Sequence, residues 1–260
     1  MLPTFFLAHG SPMNAIQDTE FSRGWTELGK KLLSSKYEFP RAILVVSAHW
    51  VTEGTYITSA NPIKTIHDFG GFPQELFDVQ YPAPGSPEIA DQVIEKVSFT
   101  PIKADFDWGM DHGTWSILKW IFPDANIPVL QISIDGTKPF LWHYEMGQHL
   151  SKFRKDNILL IGSGNLVHNL GLLNWKNWDE QLDWAVESNQ TFKTLIHERD
   201  FRKMASAHNI SPAAKLAINS AEHYVPALYS MGFGHEEKHL EFFHDKVQSS
   251  ISMLSFQLGE

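Results

Sequence analysis

Short apolar runs rich in β-branched residues alternate along the chain with stretches of helical periodicity. The apolar runs, which predict buried strands, lie at residues 4–8, 42–48, 127–134 and 157–163. The amphipathic stretches between them predict helices at residues 19–33, 87–97, 114–121 and 139–154. Strands that alternate with helices are typical of a mostly parallel sheet with helices on both faces. The pattern therefore predicts an α/β fold.

The last third of the chain continues the pattern of alternating helices and strands and shows no domain boundary. Apolar spacing over 178–207 predicts one or two amphipathic helices on the outside, and 224–231 predicts a short helix that Gly232 ends. Two alternating runs, 239–244 and 251–258, predict strands that extend the sheet at an edge. Because no repeat or linker-like stretch interrupts the chain, we expect residues 1–260 to form a single globular domain.

The segment 61–87 differs from the rest, because it is dense in glycine, proline and aromatic residues and lacks clear periodicity. Loops of this length are often covers or binding loops. The alternative is an ordered connector whose aromatic side chains only pack against the core. The sequence leaves both interpretations open.

Charge and composition exclude several classes of protein. The 260 residues include 21 Lys and Arg against 30 Asp and Glu, a formal charge of −9, which excludes nucleic acid as the main partner. The 43% of hydrophobic residues argue against disorder. Since there is no cysteine, thiolate nucleophiles and cysteine-based metal sites are excluded, and any metal must be bound through nitrogen or oxygen.

The first residues, MLPTFFLAHGSP, contain an apolar stretch but no basic region and no small-residue cleavage site. The apolar runs of the chain stay far below the roughly 20 residues that a membrane-spanning helix needs. We therefore expect a cytoplasmic location and no membrane insertion.

Histidines follow three of the predicted strands. His9 and His49 come directly after the strands at 4–8 and 42–48, and His168 lies five residues beyond Ser163. Because the carboxyl ends of parallel strands meet at one edge, these imidazoles are expected to converge there. His223 precedes the helix at 224–231, and nothing local fixes its place. Converging imidazoles without cysteine are typical of a transition-metal site, which we expect at the carboxyl edge of the sheet.

Two further histidines are candidates with alternatives open. His112, in GMDHGTW, lies between Asp111 and Gly113, which suggests a tight turn that opens the helix at 114–121. His67 lies in IHDFGG within the 61–87 segment. Each side chain is a candidate acid–base or substrate-binding group, and each is also compatible with capping a turn.

Residues 235–239 match the H-E-x-x-H pattern of zinc proteases, but that site requires a helix that presents both imidazoles on one face. Glycines precede the match and no helical stripe surrounds it, so a polar hairpin or loop is expected. The chain also lacks a G-x-S-x-G elbow, a Walker A lysine and a complete G-x-G-x-x-G, which removes support for serine hydrolase, P-loop and dinucleotide-binding functions.

Several segments together resemble one family. LAHGSPMNAI, VVSAHW, TIHDFGGFPQELFDVQYPAPGSP, GMDHGTW, QISID, GSGNLVHNL and AEHYVPALY are similar to DODA-type extradiol aromatic ring-opening dioxygenases, the 4,5-DOPA dioxygenase group of the protocatechuate 4,5-dioxygenase B-subunit superfamily. The resemblance extends from residue 5 to about residue 231. It implies an α/β fold with one metal at the edge of a mostly parallel sheet.

The resemblance also implies a ligand set and a cofactor. The metal-binding histidines of the family fall on His9, His49, His168 and His223, with Fe(II) for catalysis and Zn(II) possible in the same site. Oxygen-activating iron commonly uses two histidines and one carboxylate, whereas four histidines would close a tetrahedral zinc site. Glu222 adjoins His223, so either is a candidate third ligand, and His168 is a candidate ligand or base.

The implied activity is the insertion of both atoms of O2 into a catechol-type, DOPA-like ring, which opens to a muconic semialdehyde. His112 and His168 are the expected catalytic groups, and the expected substrate contacts are His67, Phe69, Phe72 and Ser11. The partners are then a small catechol and O2, and the chain is either a monomer or a homodimer. Two alternatives stay open, a zinc-dependent hydrolase and a non-enzymatic binding protein on the same fold.

Overall fold

The computed structural model describes residues 1–34 and 36–260. Its strands are β1 Thr4–Ala8, β2 Ala42–Ser47, β3 Val51–Thr52, β4 Thr55–Thr58, β5 Ile102–Asp105, β6 Val129–Gln131, β7 Ile134–Asp135, β8 Ile158–Gly164, β9 Leu240–Phe243, β10 Val247–Gln248, β11 Ile251–Ser252 and β12 Ser255–Leu258. Its helices are α1 Glu20–Leu32, α2 Gln74–Phe77, α3 Pro87–Lys96, α4 His112–Ile121, α5 Phe140–Leu150, α6 Asp183–His197, α7 Phe201–Met204, α8 Pro212–Ala217 and α9 Val225–Phe233.

A six-stranded sheet in the order β6-β2-β8-β1-β12-β9 forms the centre of the fold. The first four strands are parallel, and β8 lies between β2 and β1, with Ile161 opposite both Val45 and Phe5. The chain's last strands, β12 and β9, add to the edge beyond β1 in antiparallel orientation. The α/β fold with a mostly parallel sheet is as predicted, and so is the edge position of β9 and β12. The strand predicted at 251–258 is wrong as a single element, because β11 pairs with β10 outside the central sheet and only β12 joins it.

Both faces of the parallel strands are covered, which explains their almost uninterrupted apolar sequences. On β2, Ile43 and Val45 pack with Trp25 of α1 and Trp115 of α4. The alternate residues Leu44 and Val46 belong to the opposite layer, which α3, α5 and α9 cover. Full burial of a large apolar side chain contributes about 1.5–3 kcal/mol, so these two layers stabilise the sheet that carries the site.

Most of the predicted helices are present with small shifts at their ends. Helix α1 starts after Thr19, whose hydroxyl accepts a hydrogen bond from Ser22 N, while the Ser22 hydroxyl accepts one from Thr19 N. This reciprocal cap satisfies two free amide groups at the helix start. The stretch predicted at 139–154 forms α5 followed by a 3-10 turn at Ser151–Asp156, and 178–207 holds α6 and α7.

The strand predicted at 127–134 is wrong as a single element. It divides into β6 and β7, because the backbone changes partners after Ile132, whose N–H still donates to Val45 O of β2 at 3.0 Å. Ser133 N donates to Tyr56 O at 2.8 Å and Ile134 N donates to Trp50 O at 2.9 Å, which takes the chain away from β2. Outside the central sheet, β3 pairs with β7 and β4 pairs with β5, which forms two small parallel sheets. The sequence did not predict β3, β4 and β5, which are short.

The predicted stop at Gly232 is also wrong, because α9 continues through it to Phe233. A Cβ atom on Gly232 would lie 2.1 Å from the carbonyl oxygen of Tyr144 in α5. The glycine therefore serves close packing between two helices rather than termination. Residues 235–239, which follow, form a turn and loop rather than a helix, as expected for the rejected H-E-x-x-H match.

Within residues 1–34 and 36–260, none of the helices combines the length and apolar character that crossing a membrane requires.

Candidate metal centre

His9 and His49 meet at the carboxyl edge of the central sheet. His9 follows β1 and His49 follows β2, and their Nε2 atoms lie 3.1 Å apart. The His9 side chain is almost completely buried, while His49 is half-buried. Two separate strands thus bring their imidazole nitrogens to one point, as the position of these residues in the sequence predicted.

The surroundings of His9 fix which of its nitrogens carries the hydrogen. Ser163, on β8, donates its hydroxyl to Gly113 O at 2.6 Å, and the same hydroxyl lies 3.0 Å from His9 Nδ1. Since the serine hydrogen is used on the carbonyl, the serine oxygen accepts from Nδ1–H of His9. The Nε2 lone pair of His9 therefore remains free to bind a cation.

His49 has a comparable arrangement through Asp68. Its Nδ1 lies 3.3 Å from Asp68 Oδ2, a position in which the carboxylate favours a hydrogen on Nδ1 and a lone pair on Nε2. Burial and the neighbouring His112 lower the pKa of His49 to about 3, although Asp68 acts in the opposite direction. Burial, together with His49 and His223, also lowers the pKa of His9 far below its usual value. Both imidazoles are therefore neutral, the form that binds metals.

His223 completes a group of three imidazoles. One nitrogen from each of His9, His49 and His223 lies within 4.8 Å of the others. Burial, followed by the nearby histidines, lowers the pKa of His223 well below its usual value. Three neutral nitrogen donors at one buried point are a donor set that fits a transition metal. Glu222 is not part of this group, and its Oε1 instead lies 3.3 Å from Nδ1 of His223.

A glycine on β8 allows the segment before α9 to approach the sheet. A Cβ atom on Gly164 would lie 2.2 Å from the carbonyl oxygen of His223. That same carbonyl accepts a hydrogen bond from Asn165 N at 2.9 Å. The G-S-G sequence at the end of β8 thus fixes the position of His223, which its own local sequence left undetermined.

His168 lies beside this group rather than within it. Its ring stacks on that of His223 with centroids 3.5 Å apart and planes at 7°. His168 N donates to Ala217 O at 3.0 Å, which holds the residue against the end of α8. With Glu222 and His223 it forms a second close group of donor atoms. Burial lowers the pKa of His168 to about 4, so its ring is neutral near neutral pH.

His112 is the first residue of α4, not a turn residue ahead of a helix that begins at Thr114. Asp111 caps the helix by accepting from Thr114 N, which moves the helix start two residues earlier than predicted. Asp68 accepts from His112 N at 2.8 Å and from its Nδ1–H at 2.9 Å. The His112 ring lies with its centroid 3.9 Å from that of His49.

Asp68 is the functional candidate that sequence reasoning missed. Its carboxylate joins the loop 61–87 to both His112 and His49, so this loop takes part in the site. Burial raises the pKa of Asp68, but the hydrogen bond and charge of His112, with His49, lower it to about 2. Asp68 is therefore ionised. The IHDFGG motif contains it, but nothing in the sequence indicates its partner 44 residues away.

A second buried carboxylate supports the same region. Asp111 accepts from the Ser47 hydroxyl at 2.6 Å and from Gln131 Nε2 at 2.7 Å. Burial, with Asp68, raises its pKa to about 6. Because Ser47 ends β2 two residues before His49, this network ties the start of α4 to the strand that carries His49.

The other predicted substrate contacts lie around this centre. The Phe69 ring is 5.4 Å from that of His112, and Phe72 packs on Phe69 at 5.3 Å. His67 donates Nε2–H to Val79 O at 3.0 Å and packs within the aromatic group of the loop. Ser11 caps the 3-10 turn Pro12–Ala15, two residues after His9.

Comparison with known proteins identifies the family. Residues 3–253 match the family model described as the catalytic LigB subunit of aromatic ring-opening dioxygenase. The chain belongs to the LigB family. This membership confirms the predicted family, and the chain is an extradiol aromatic ring-opening dioxygenase.

Relatives of this LigB-family protein match it over almost its whole length. A protein of Escherichia coli K12 named 4,5-DOPA dioxygenase extradiol is 40% identical over 262 residues, covering 99% of this chain and 95% of the relative. A Beta vulgaris protein of the same name is 33% identical, covering 95% and 92%. The crystal structure of an uncharacterized protein from Escherichia coli K12 matches with a TM-score of 0.83 and 34% identity over 100% of both chains.

Proposed function

We propose that this LigB-family dioxygenase uses Fe(II), bound by His9, His49 and His223, to open a catechol-type, DOPA-like ring to a muconic semialdehyde. The observation that carries the proposal is the 3.1 Å separation between Nε2 of His9 and Nε2 of His49. The whole chain, 1–260, would act as one ring-cleavage domain. Zn(II) would fit the same donors.

Electrostatics explains why this separation favours a cation. The Nδ1–H of His9 is used by Ser163, so the Nε2 lone pair of His9 faces Nε2 of His49. Without a metal, His49 can donate Nε2–H to this lone pair. A positive ion would take the place of that proton and bind both nitrogens once His49 carries its hydrogen on Nδ1, beside Asp68. Asp68 and Ser163 would keep the two rings in the metal-binding tautomer.

Three protein donors leave open positions for other ligands, in contrast to a closed site of four histidines. When bound, Fe(II) would acidify the catechol hydroxyls and give O2 a place beside the ring. In this proposal His168 is a base rather than a fourth ligand. Its stacking on His223, outside the group of three, supports that role.

Within the proposal, His168 accepts a proton from a catechol hydroxyl, and that proton returns, through His168 or His112, to the oxygen atom freed when the O–O bond breaks. Asp68 holds His112 through both its backbone and its ring, which fixes the direction of the remaining ring nitrogen. Phe69 and Phe72, with His67 and Ser11, would contact the substrate and exclude water.

A DOPA-like substrate is supported by the names of relatives at 40% and 33% identity. The test is oxygen uptake by protein loaded anaerobically with Fe(II) and then mixed with aerated catechol, 4-methylcatechol or DOPA. We expect uptake of one O2 per substrate and a yellow product. His9→Ala should abolish both metal binding and turnover, whereas His112→Ala should retain metal and lose turnover.

The control is protein loaded with Zn(II), which should bind substrate without oxygen uptake. Absence of oxygen uptake with every catechol in the panel, at full iron occupancy, would contradict the proposed function. Loss of metal from His112→Ala would show that its role is wrongly assigned.

A further inference from the structure

A carboxylate, a candidate ligand and a further histidine form a compact unit at the candidate metal centre. The donor atoms of His49, Asp68 and His112 lie within 4.8 Å of one another. The two rings have their centroids 3.9 Å apart, and Oδ2 of Asp68 lies 3.3 Å from Nδ1 of His49. In this unit the carboxylate faces the ring nitrogen of His49 that points away from His9, whose Nε2 lies against the other nitrogen.

The same unit recurs around the third candidate ligand, His223. The donor atoms of His168, Glu222 and His223 also lie within 4.8 Å of one another. The His168 ring stacks on that of His223 with centroids 3.5 Å apart, and Oε1 of Glu222 lies 3.3 Å from Nδ1 of His223. Glu222 therefore has the same relation to His223 that Asp68 has to His49.

Further contacts hold both the Glu222 carboxylate and the His223 backbone. The Ser220 hydroxyl donates to Oε1 of Glu222 at 2.7 Å. Asn165 N donates to the His223 carbonyl at 2.9 Å, and a Cβ atom on Gly164 would lie 2.2 Å from that carbonyl. Because the backbone of His223 is held so closely, the orientation and tautomer of its ring decide which nitrogen faces the other ligands.

His223 belongs to two groups of donor atoms, one with His9 and His49 and the other with His168 and Glu222. A neutral imidazole has one lone pair, so the nitrogen that carries the hydrogen determines which group can bind a cation through this ring. With the hydrogen on Nδ1, the ring donates to Glu222 and its Nε2 is free for the group of His9 and His49. A carboxylate that accepts Nδ1–H favours this tautomer.

We propose that Glu222 is a positioning residue, which accepts Nδ1–H of His223 and so directs Nε2 of that ring to the cation shared with His9 and His49. The inference rests on the proposed function, because that function takes these three histidines as the ligands. Glu222 then acts through His223 and does not touch the cation. Its negative charge, close behind the ring, also strengthens the attraction for a divalent ion.

The affinity of the full chain for Zn(II), measured by competition with a chelator of known affinity, tests this role without turnover. Glu222→Ala removes the acceptor and should lower the affinity about 10- to 100-fold. Glu222→Gln keeps an oxygen that accepts Nδ1–H, so its loss should be at most about tenfold. Unchanged affinity in Glu222→Ala would overturn the inference. So would a loss in Glu222→Gln as large as that in His223→Ala, because Glu222 would then be a ligand.

The tautomer of the His223 ring is a readout that a merely structural role of Glu222 would not change. Long-range 1H–15N correlation spectra show which ring nitrogen carries the hydrogen, and comparison with His223→Gln identifies the signals of this ring. In wild-type protein loaded with Zn(II) we expect the hydrogen on Nδ1 and the metal on Nε2. Metal-free Glu222→Ala should show a larger fraction of the other tautomer than metal-free wild type. Zinc bound through Nδ1 of His223 in the wild type would overturn the inference, and this spectrum requires no variant of Glu222.

Glu236→Ala is the matched control, because Glu236 also adjoins a histidine in the sequence. Its Oε1 lies 3.9 Å from Nε2 of His235, and its side chain is 85% exposed. This variant should bind Zn(II) as the wild type does. Neither the affinity nor the spectra require iron, O2 or a catechol. Absence of oxygen uptake by iron-loaded protein therefore contradicts only the proposed function, whereas unchanged zinc affinity in Glu222→Ala overturns only the role of Glu222.

Discussion

The carboxylate of Asp68 accepts two hydrogen bonds from one residue, His112, from its backbone N–H at 2.8 Å and from its ring Nδ1–H at 2.9 Å. The same carboxylate lies 3.3 Å from Nδ1 of His49. A residue in the long loop thus orients one candidate catalytic group and one candidate ligand together. Movement of the loop would disturb both at once.

Asp68→Asn tests this arrangement. The amide keeps the size of the side chain but lacks the negative charge, and only one of its two ends accepts hydrogen bonds. We expect kcat to fall about 10- to 100-fold, the range typical of losing an oriented acid–base group, while most of the iron remains bound. The measurement is kcat with iron content determined on the same samples.

The matched control for Asp68→Asn is Asp78→Asn, an exposed carboxylate in the same loop that pairs only with Gln74 in the described structure. It should leave kcat unchanged. If Asp68→Asn keeps full activity, the hydrogen bonds to His112 do not contribute to catalysis.

Ser163→Ala tests how the His9 ring is held. Without the hydroxyl, Nδ1–H of His9 has no acceptor at this position and the metal-binding tautomer loses its support. We expect iron or zinc affinity to fall about 10- to 100-fold, with the fold intact by circular dichroism. Competition with a chelator of known affinity measures the change.

Ser116→Ala is the control for the serine substitution. Its hydroxyl is also buried, but it has no hydrogen-bond partner among residues 1–34 and 36–260. Its loss should therefore leave metal affinity unaffected. Equal affinity in Ser163→Ala and the wild-type protein would contradict a role for Ser163 in fixing the tautomer.

His143 should make folding stability depend on pH. Burial lowers its pKa to about 4 in the folded protein, below the usual value of 6.5, although Asp135 and a hydrogen bond to Lys138 act in the opposite direction. Between these two values the unfolded chain binds a proton that the folded chain does not, so the free energy of unfolding falls as pH decreases. The contribution is at most about 1.4 kcal/mol per pH unit over this window.

Urea unfolding of wild-type protein and His143→Gln between pH 4 and 7 measures this contribution. The variant should show a smaller loss of stability on acidification. His149→Gln replaces an exposed histidine of the same helix and should follow the wild-type curve. Parallel curves for His143→Gln and wild type would mean that His143 does not titrate in this range.

The sequence predicted the parts of the site that depend on strand order. His9 and His49 follow parallel neighbours of β8, so their convergence follows from the sheet alone. Asp68 and His223 were different, because their positions depend on tertiary contacts. Asp68 is placed by a hydrogen bond across 44 residues, and His223 by close approach of its backbone to Gly164. The local pattern of apolar and polar residues indicates neither the hydrogen bond of Asp68 nor the contact of His223 with Gly164.

The same distinction between local pattern and tertiary contact explains where the predicted fold was wrong. The strand predicted at 127–134 is apolar throughout, but its hydrogen-bond partners change at Ser133. Glycine is common at helix ends, yet Gly232 lies inside α9, where α5 packs against it. In both cases a distant segment decided what the local pattern left ambiguous.

Gly232→Ala tests this explanation of the helix contact. The new Cβ atom would lie 2.1 Å from Tyr144 O, a backbone atom that cannot move without shifting α5. Alanine favours an α-helix over glycine by about 1 kcal/mol, but overpacking of this kind costs about 1–3 kcal/mol. We expect net destabilisation and a lower Tm, measured by calorimetry. Gly70→Ala is the control, because a Cβ there meets no atom within 4 Å. If Gly232→Ala raised Tm, helix propensity would outweigh packing, and the contact between α5 and α9 would be looser than the structure indicates.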